Sequence, residues 1–202
     1  MKKTLSITVV FICLLMALSS CQAIKLTKAP YNPDTSLLLI CKSYGGMYCN
    51  RIYVSLENRE THEKYESTAI VGIPGSVVCN LPKGTYNVVK VWFEEDVGNT
   101  VQKISNWSPE LTDYFGPIEI EPNNKYFLGL YESKKTYDIS MLWTLRNNLK
   151  LKYVEPGSEK HIGTGQDYVP EKVRKEIAKT DWKDGDFIIL RPAKYDEVFD
   201  FY

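Results

Sequence analysis

Five cysteines and two histidines are the side chains of this sequence best suited to covalent or metal chemistry. Thiolates act as nucleophiles, metal ligands or disulfide partners, and histidine acts as a general base or a metal ligand. The two histidines, His62 and His161, lie far apart in polar stretches. Neither stands at a zinc-ligand spacing, such as His-x₃-His, from a second ligand. The sequence therefore predicts no metal site and no cofactor.

Motifs for nucleophilic or phosphate chemistry are also missing from the sequence. The Gly-x-Ser-x-Gly turn of a serine nucleophile does not occur, and Gly163–Gly165 lacks the Lys-Ser/Thr of a phosphate-binding loop. Carboxylates at Glu119 and Glu121 alternate with apolar residues, which is typical of the solvent-facing side of a strand. We interpret Glu94 and Glu95 in the same way. The sequence thus predicts a protein that is not an enzyme, with an envelope hydrolase as an alternative.

Cys21 has the clearest context of the cysteines, because it follows a hydrophobic leader. Lys2 and Lys3 give the chain a positive start, and Leu5–Leu18 is an almost unbroken apolar run. A run of about 14 residues suits a secretory signal and falls short of the ~20 that a transmembrane helix needs. The pattern therefore predicts a signal peptide over residues 1–20 and an oxidising compartment after export.

The segment Leu18-Ser19-Ser20-Cys21 resembles the lipobox of bacterial lipoproteins. In that family the cysteine thiol receives a diacylglyceryl group, and the leader is removed just before it. The resemblance implies that palmitate-type acyl chains on Cys21 hold the protein on membrane lipid, since a lasting anchor needs two or more chains. Gln22 is not the aspartate that resembles an inner-membrane retention signal, which favours the outer membrane where two membranes exist. An ordinary secretory signal cleaved near Cys21 is the alternative.

Three further cysteines follow the anchor: Cys41, Cys49 and Cys79. An odd number allows at most one internal disulfide bond and leaves one thiol. We predict a Cys41–Cys49 bond, because a three-residue loop at Tyr44–Gly46 would place the two residues opposite each other in a hairpin. Cys79 is then a small, buried apolar residue, with a nucleophilic Cys79 as the alternative.

The sequence predicts that short strands separated by turns position these cysteines. Fourteen tyrosines and four tryptophans favour strands, and stretches typical of strands recur over residues 36–154, which we predict to form one β domain. Residues 21–35 contain Pro30 and Pro33 with little periodicity, which predicts a tether between lipid and domain. A first edge strand over Ile24–Lys28 is the alternative.

Leu81-Pro82-Lys83-Gly84-Thr85-Tyr86 leads into the strand-like run Asn87–Phe93. Proline presets φ for a turn, and glycine supplies a positive φ. This motif resembles the strand–turn–strand step of prealbumin-like and carboxypeptidase-regulatory-like β-sandwich domains, which recur in bacterial lipoproteins of unknown function. The resemblance spans about Ile52–Tyr131. It implies a mainly β fold, an antiparallel β-sandwich (prealbumin/Ig-like), in which Tyr86 packs in the core.

The C-terminal part changes character after the β domain. Pro170–Thr180 has proline in its first turn and an apolar stripe at Val173 and Ile177, which predicts a helix. The run Asp186–Arg191 predicts a last strand. We therefore expect residues 155–202 to form a small helix–strand (α/β) appendage that packs on the sandwich.

The net charge and the aromatic residues of the chain indicate which partners it could bind. With 25 basic and 25 acidic residues, the chain has no electrostatic footprint for nucleic acid. Trp107, Tyr114 and Phe115 lie in or beside an irregular loop and form a candidate binding site for a glycan or an envelope protein. The alternative, which we favour, is that these rings cap the core. We predict a membrane-anchored, non-catalytic cell-envelope lipoprotein, with a carbohydrate- or host-protein-binding adhesin as a further alternative.

Overall fold

The computed structural model describes residues 23–43, 49–97, 100–106, 110–138, 146–158 and 163–201. Within these residues the chain is mainly β, with two sheets in which most strand pairs are antiparallel. The strands are β1 (Thr35–Lys42), β2 (Cys49–Asn58), β3 (Lys64–Glu66), β4 (Thr68–Ala69), β5 (Gly75–Pro82), β6 (Gly84–Val97), β7 (Thr100–Asn106), β8 (Ile118–Ile120), β9 (Lys125–Asp138), β10 (Arg146–Val154), β11 (Phe187–Ile189) and β12 (Val198–Phe201). The α-helices are α1 (Glu110–Phe115) and α2 (Glu171–Ile177).

The larger sheet has seven strands in the order β12-β10-β9-β1-β5-β4, with β11 also paired to β9. Its central strand β1 pairs antiparallel with β5 and parallel with β9. Every residue of the apolar run Leu37–Cys41 is fully buried. Because successive side chains of a strand point to opposite faces, both faces of the sheet are covered at this strand. That burial explains why the sequence of β1 is continuously apolar and does not alternate.

The smaller sheet has five strands in the order β3-β2-β6-β7, with β8 also paired to β6. On β2 the alternate residues Ile52, Val54 and Leu56 are fully buried. These side chains belong to the same hydrophobic cluster as those of β1. One core therefore contains apolar side chains from both sheets.

The turn between β5 and β6 is tied together by Tyr86. The ring of Tyr86 is fully buried, and its hydroxyl donates a hydrogen bond of 2.8 Å to the carbonyl oxygen of Pro82. A Cβ atom at Gly84 would lie 2.7 Å from the side-chain nitrogen of Asn58, so a larger residue there would displace that amide. The prediction that Tyr86 packs in the core is confirmed.

The two strands of the C-terminal part, β11 and β12, pair into the larger sheet. Strand β11 pairs with residues 125–127 of β9, and β10 pairs with residues 130–138 along the same edge. Strand β12 then pairs with β10. The predicted helix is present as α2, with Val173 and Ile177 buried, and the predicted last strand is present as the shorter β11.

Tyr168 bridges β9 and β10 at the end of their pairing. The backbone N–H of Leu130 donates to the Tyr168 hydroxyl (2.9 Å), and that hydroxyl donates to the carbonyl oxygen of Val154 (2.6 Å). Gly129 lies beside this bridge with φ +115°, and a Cβ there would be 2.5 Å from Cε2 of Tyr153. One side chain from the C-terminal part thus links β9 and β10 of the larger sheet.

The segment 23–31 is packed on the domain and does not form the predicted tether. The N–H of Ile24 donates to the carbonyl oxygen of Ala69 (2.8 Å), and the N–H of Val71 donates to the carbonyl oxygen of Ile24 (2.9 Å). A short 3₁₀ helix follows, with Leu26 only 2% exposed. The alternative of an edge strand is also wrong, because Ile24 forms a single isolated bridge with Ile70.

Candidate functional site

The cysteines other than the predicted anchor do not form the expected hairpin. Strands β1 and β2 lie in different sheets, so Cys41 is not paired across a ladder with Cys49. The structure gives Cys41 as a free, fully buried thiol, and the basis for the predicted disulfide bond is therefore wrong. The side chain of Cys49 lies outside the described residues.

Neither described thiol is prepared to act as a nucleophile. Burial raises the pKa of the Cys41 thiol to about 12 and that of the Cys79 thiol to about 11. Both groups are thus protonated near neutral pH, whereas the thiolate is the reactive form. Cys79 packs against the core as a partly buried residue, in line with the interpretation as a small apolar side chain.

The candidate binding loop of aromatic residues is contradicted where the structure describes it. Tyr114 and Phe115 lie in α1 and are only 1% and 3% exposed. Their rings meet edge to face at 5.2 Å, and Tyr114 packs on Phe199 at 5.5 Å. These rings cap the core and present no face to a ligand. Trp107, like His161 and Cys21, lies outside the described residues.

Glu94 was interpreted as a solvent-facing strand residue, and this interpretation is wrong. Glu94 is only 2% exposed, and its carboxylate forms an ion pair of 3.2 Å with the guanidinium of Arg51 on the neighbouring strand. A carboxylate is buried at low cost only when a partner neutralises it. The alternation around Glu119 and Glu121 is confirmed, since both are exposed while the flanking isoleucines are buried.

An aromatic cluster on the smaller sheet packs against Ala23, which is the first described residue of the chain. The rings of Tyr53 and Trp92 stack with centroids 5.2 Å apart and planes within 4°. The ammonium of Lys90 lies 5.2 Å from the centroid of the Trp92 indole. Ala23 packs against this cluster, which also contains Ala69. Sequence reasoning missed the cluster, because its members come from segments whose pairing is not visible in local periodicity.

A cleft of about 520 Å³ lies beside β10, near the edge of the larger sheet opposite to β4. Its polar lining consists of three carboxylates, one ammonium, two phenols and one hydroxyl, from Glu132, Glu155, Asp196, Lys152, Tyr153, Tyr195 and Ser158. The guanidinium of Arg191 stacks on the ring of Tyr195 at 3.2 Å and forms an ion pair of 3.0 Å with Glu155.

The chemistry of this cleft suits binding of a polar ligand. Carboxylates and a phenol accept and donate hydrogen bonds, and an aromatic ring supplies an apolar face. Among the lining residues that the structure describes there is no histidine or cysteine. Sequence reasoning missed the cleft because three distant segments form it.

Neither a cluster of metal-ligating side chains nor a membrane-spanning helix occurs among the described residues. Among those residues, no group of three or more histidine, cysteine, aspartate or glutamate side chains is placed to hold a metal ion. No helix within the same ranges has the length and apolar character to cross a bilayer. Compared with known proteins, the chain matches no family model, no curated protein and no solved structure.

Proposed function

We propose that this protein is a bacterial cell-envelope lipoprotein, anchored through acylated Cys21 and acting as a non-catalytic binding module. The observation that carries the proposal is the leader followed by Leu18-Ser19-Ser20-Cys21. A charged start, an apolar run of secretory length and a lipobox-like end occur together and in the required order. Because Gln22 follows the cysteine, the outer membrane is the proposed location in an organism with two membranes.

We further propose that the two sheets form a β-sandwich of the prealbumin/Ig-like type. The single hydrophobic cluster that contains side chains of both sheets supports this arrangement. The tyrosine that follows the Leu-Pro-Lys-Gly turn supports it as well, since a buried tyrosine bonded to backbone a few residues upstream is typical of such folds.

We propose the cleft lined by Glu132, Lys152 and Tyr195 as the place where an envelope ligand binds. Its volume of about 520 Å³ lies in the range of small-molecule sites, which is about 300–1,000 Å³. The mixture of carboxylates with a tyrosine ring favours a polar ligand such as a glycan or a peptide segment. Tyr195→Ala should abolish capture of that ligand and leave the melting temperature nearly unchanged, because Tyr195 is only partly buried.

Mass spectrometry of the native protein tests the anchor. We expect the N-terminal peptide to begin at Cys21 and to carry a diacylglyceryl group. Cells grown with labelled palmitate should label the protein, and Cys21→Ser should abolish the label. The matched control Cys79→Ser should keep it. An unmodified N-terminus at any residue other than Cys21 would refute the proposal.

A further inference from the structure

The fixed position of Ala23 limits how far the domain can stand from an anchor at Cys21. Backbone hydrogen bonds hold Ile24 to Ala69 and Val71, so the chain is attached to the sheet edge from this point onward. Two peptide steps from Cys21 to Ala23 span at most about 7 Å. The headgroup layer on each side of a bilayer is about 5–8 Å thick. An acylated Cys21 would therefore bring the surface around Ala23 into contact with headgroups.

The residues on one side of Ala23 carry positive charge and one exposed apolar side chain. A depression of about 320 Å³ there is lined by Lys25, Val71, Lys172 and Glu176 together with Leu26 and Thr27. Val71 is 47% exposed. The carboxylate of Glu176 is engaged at 2.8 Å by the ammonium of Lys179, which leaves this surface with a net positive charge.

The aromatic cluster against which Ala23 packs adds a further ammonium. Lys90 is held over the Trp92 ring, against whose cluster Ala23 packs. Lysine ammonium groups bind phosphate oxygens, and each one near an anionic membrane surface strengthens attachment about fivefold (about 1 kcal/mol). Apolar side chains such as valine are tolerated at the boundary between headgroups and acyl chains.

We propose that the N-terminal surface, defined by Ala23, Lys25, Val71, Lys90 and Lys172, lies against the phospholipid headgroups of the membrane that holds Cys21. This inference rests on the proposed lipid anchor. The larger sheet then meets the bilayer at its β4 edge. Strand β10 is four strand spacings from β4, which is about 19 Å. The cleft beside β10 consequently faces away from the membrane, where a ligand can reach it.

Lysine acetylation with a membrane-impermeant reagent tests this orientation. The lipidated protein is reconstituted in vesicles of phosphatidylethanolamine and phosphatidylglycerol, and acetylation rates are read by mass spectrometry. The reference is the mature chain with Cys21→Ser, free of vesicles. We expect Lys25 and Lys172 to react several-fold more slowly on vesicles. Exposed Lys152 and Lys194, near the opposite edge, should react at unchanged rates.

Equal rates at all four lysines, on protein whose lipid is verified by mass spectrometry, would overturn the inference and leave the anchor intact. Absence of lipid in that measurement would instead refute the proposed function. The two failures are therefore distinguishable within one experiment.

A pair of matched variants tests the surface independently. Val71 and Val198 are equally exposed (47% and 46%), but Val198 lies on β12 at the opposite edge of the sheet. Val71→Asp places a carboxylate against phosphates and should restore fast acetylation of Lys172. Val198→Asp should leave the protection unchanged. Identical protection in both variants would overturn the inference. Circular dichroism verifies that both variants fold. If Val71→Asp does not fold, the acetylation rates of the wild-type protein on vesicles decide whether the inference stands.

Discussion

Replacing Tyr168 by phenylalanine removes one oxygen atom and two hydrogen bonds from the middle of the larger sheet. The ring can stay in place, where it meets Phe127 edge to face at 5.6 Å. Without the hydroxyl, the N–H of Leu130 and the carbonyl of Val154 lose the partner that joins them, at 2.9 and 2.6 Å. An unsatisfied buried polar group costs about 1–3 kcal/mol, so we expect a loss of about 2–4 kcal/mol in the free energy of unfolding.

Urea denaturation followed by tryptophan fluorescence measures this loss, and Tyr31→Phe is the matched control. The Tyr31 hydroxyl donates to Asn123 at 3.0 Å on the exposed surface, so its removal should cost less than about 0.5 kcal/mol. Hydrogen exchange should also show faster exchange of the Leu130 amide in Tyr168→Phe. If both variants lost the same stability, the Tyr168 hydroxyl would not stabilise the contact between β9 and β10, and our reasoning would be refuted.

Three further predictions follow from buried groups. Gly129→Ala should lower the free energy of unfolding by about 2–4 kcal/mol in thermal denaturation, because its Cβ would lie 2.5 Å from the Tyr153 ring at a positive φ. The control Gly185→Ala also has a positive φ but open space, and it should cost only about 1 kcal/mol; equal losses would contradict the steric argument. Burial raises the pKa of Tyr114 and of Cys41 to about 12. The unfolded chain therefore loses these protons first, and stability should fall as pH rises from about 9 to 12 in a chemical-denaturation series, while a flat profile would be incompatible with their burial. Iodoacetamide at pH 8 should leave Cys41 unlabelled in the native protein and label it in urea, and rapid native labelling would show that this thiol is not buried.

Local patterns in the sequence predicted most individual elements. The apolar run of β1, the alternation around Glu119 and the helix after Pro170 are visible because hydrophobic periodicity reports which face of an element is buried. The Leu81–Tyr86 motif predicted a turn, since proline presets φ and glycine tolerates a positive φ, and the buried ring of Tyr86 was implied by the resemblance of this motif to β-sandwich domains. These features depend on neighbours in sequence.

The errors concern which segments meet in space. Cys41 and Cys49 were expected in one hairpin, but β1 finds its partners in β5 and the distant β9. Pro30 and Pro33 suggested a tether. The segment is instead held on the domain by the buried side chain of Leu26 and by a hydrogen bond from the Trp182 indole N–H to the carbonyl oxygen of Pro30. Partner choice depends on burial over the whole fold, which periodicity does not report.

The cleft and the buried ion pair were missed for the same reason, because each depends on segments that meet only in the folded chain. Glu94 is a charged residue in an otherwise ordinary strand, and only the position of Arg51 opposite to it shows that its burial is tolerated. Tyr195 and Glu132 are more than sixty positions apart along the printed sequence. A site assembled from segments so far apart has no local signature in the sequence.

The position of β11 and β12 in the larger sheet determines when the chain can finish folding. Phe187 of β11 pairs with Lys125 of β9, which lies 62 positions earlier in the printed sequence. Until this contact forms, that part of β9 keeps an unpaired edge, and contacts so distant in sequence form slowly. The larger sheet is therefore completed only after segments separated by more than sixty positions have met.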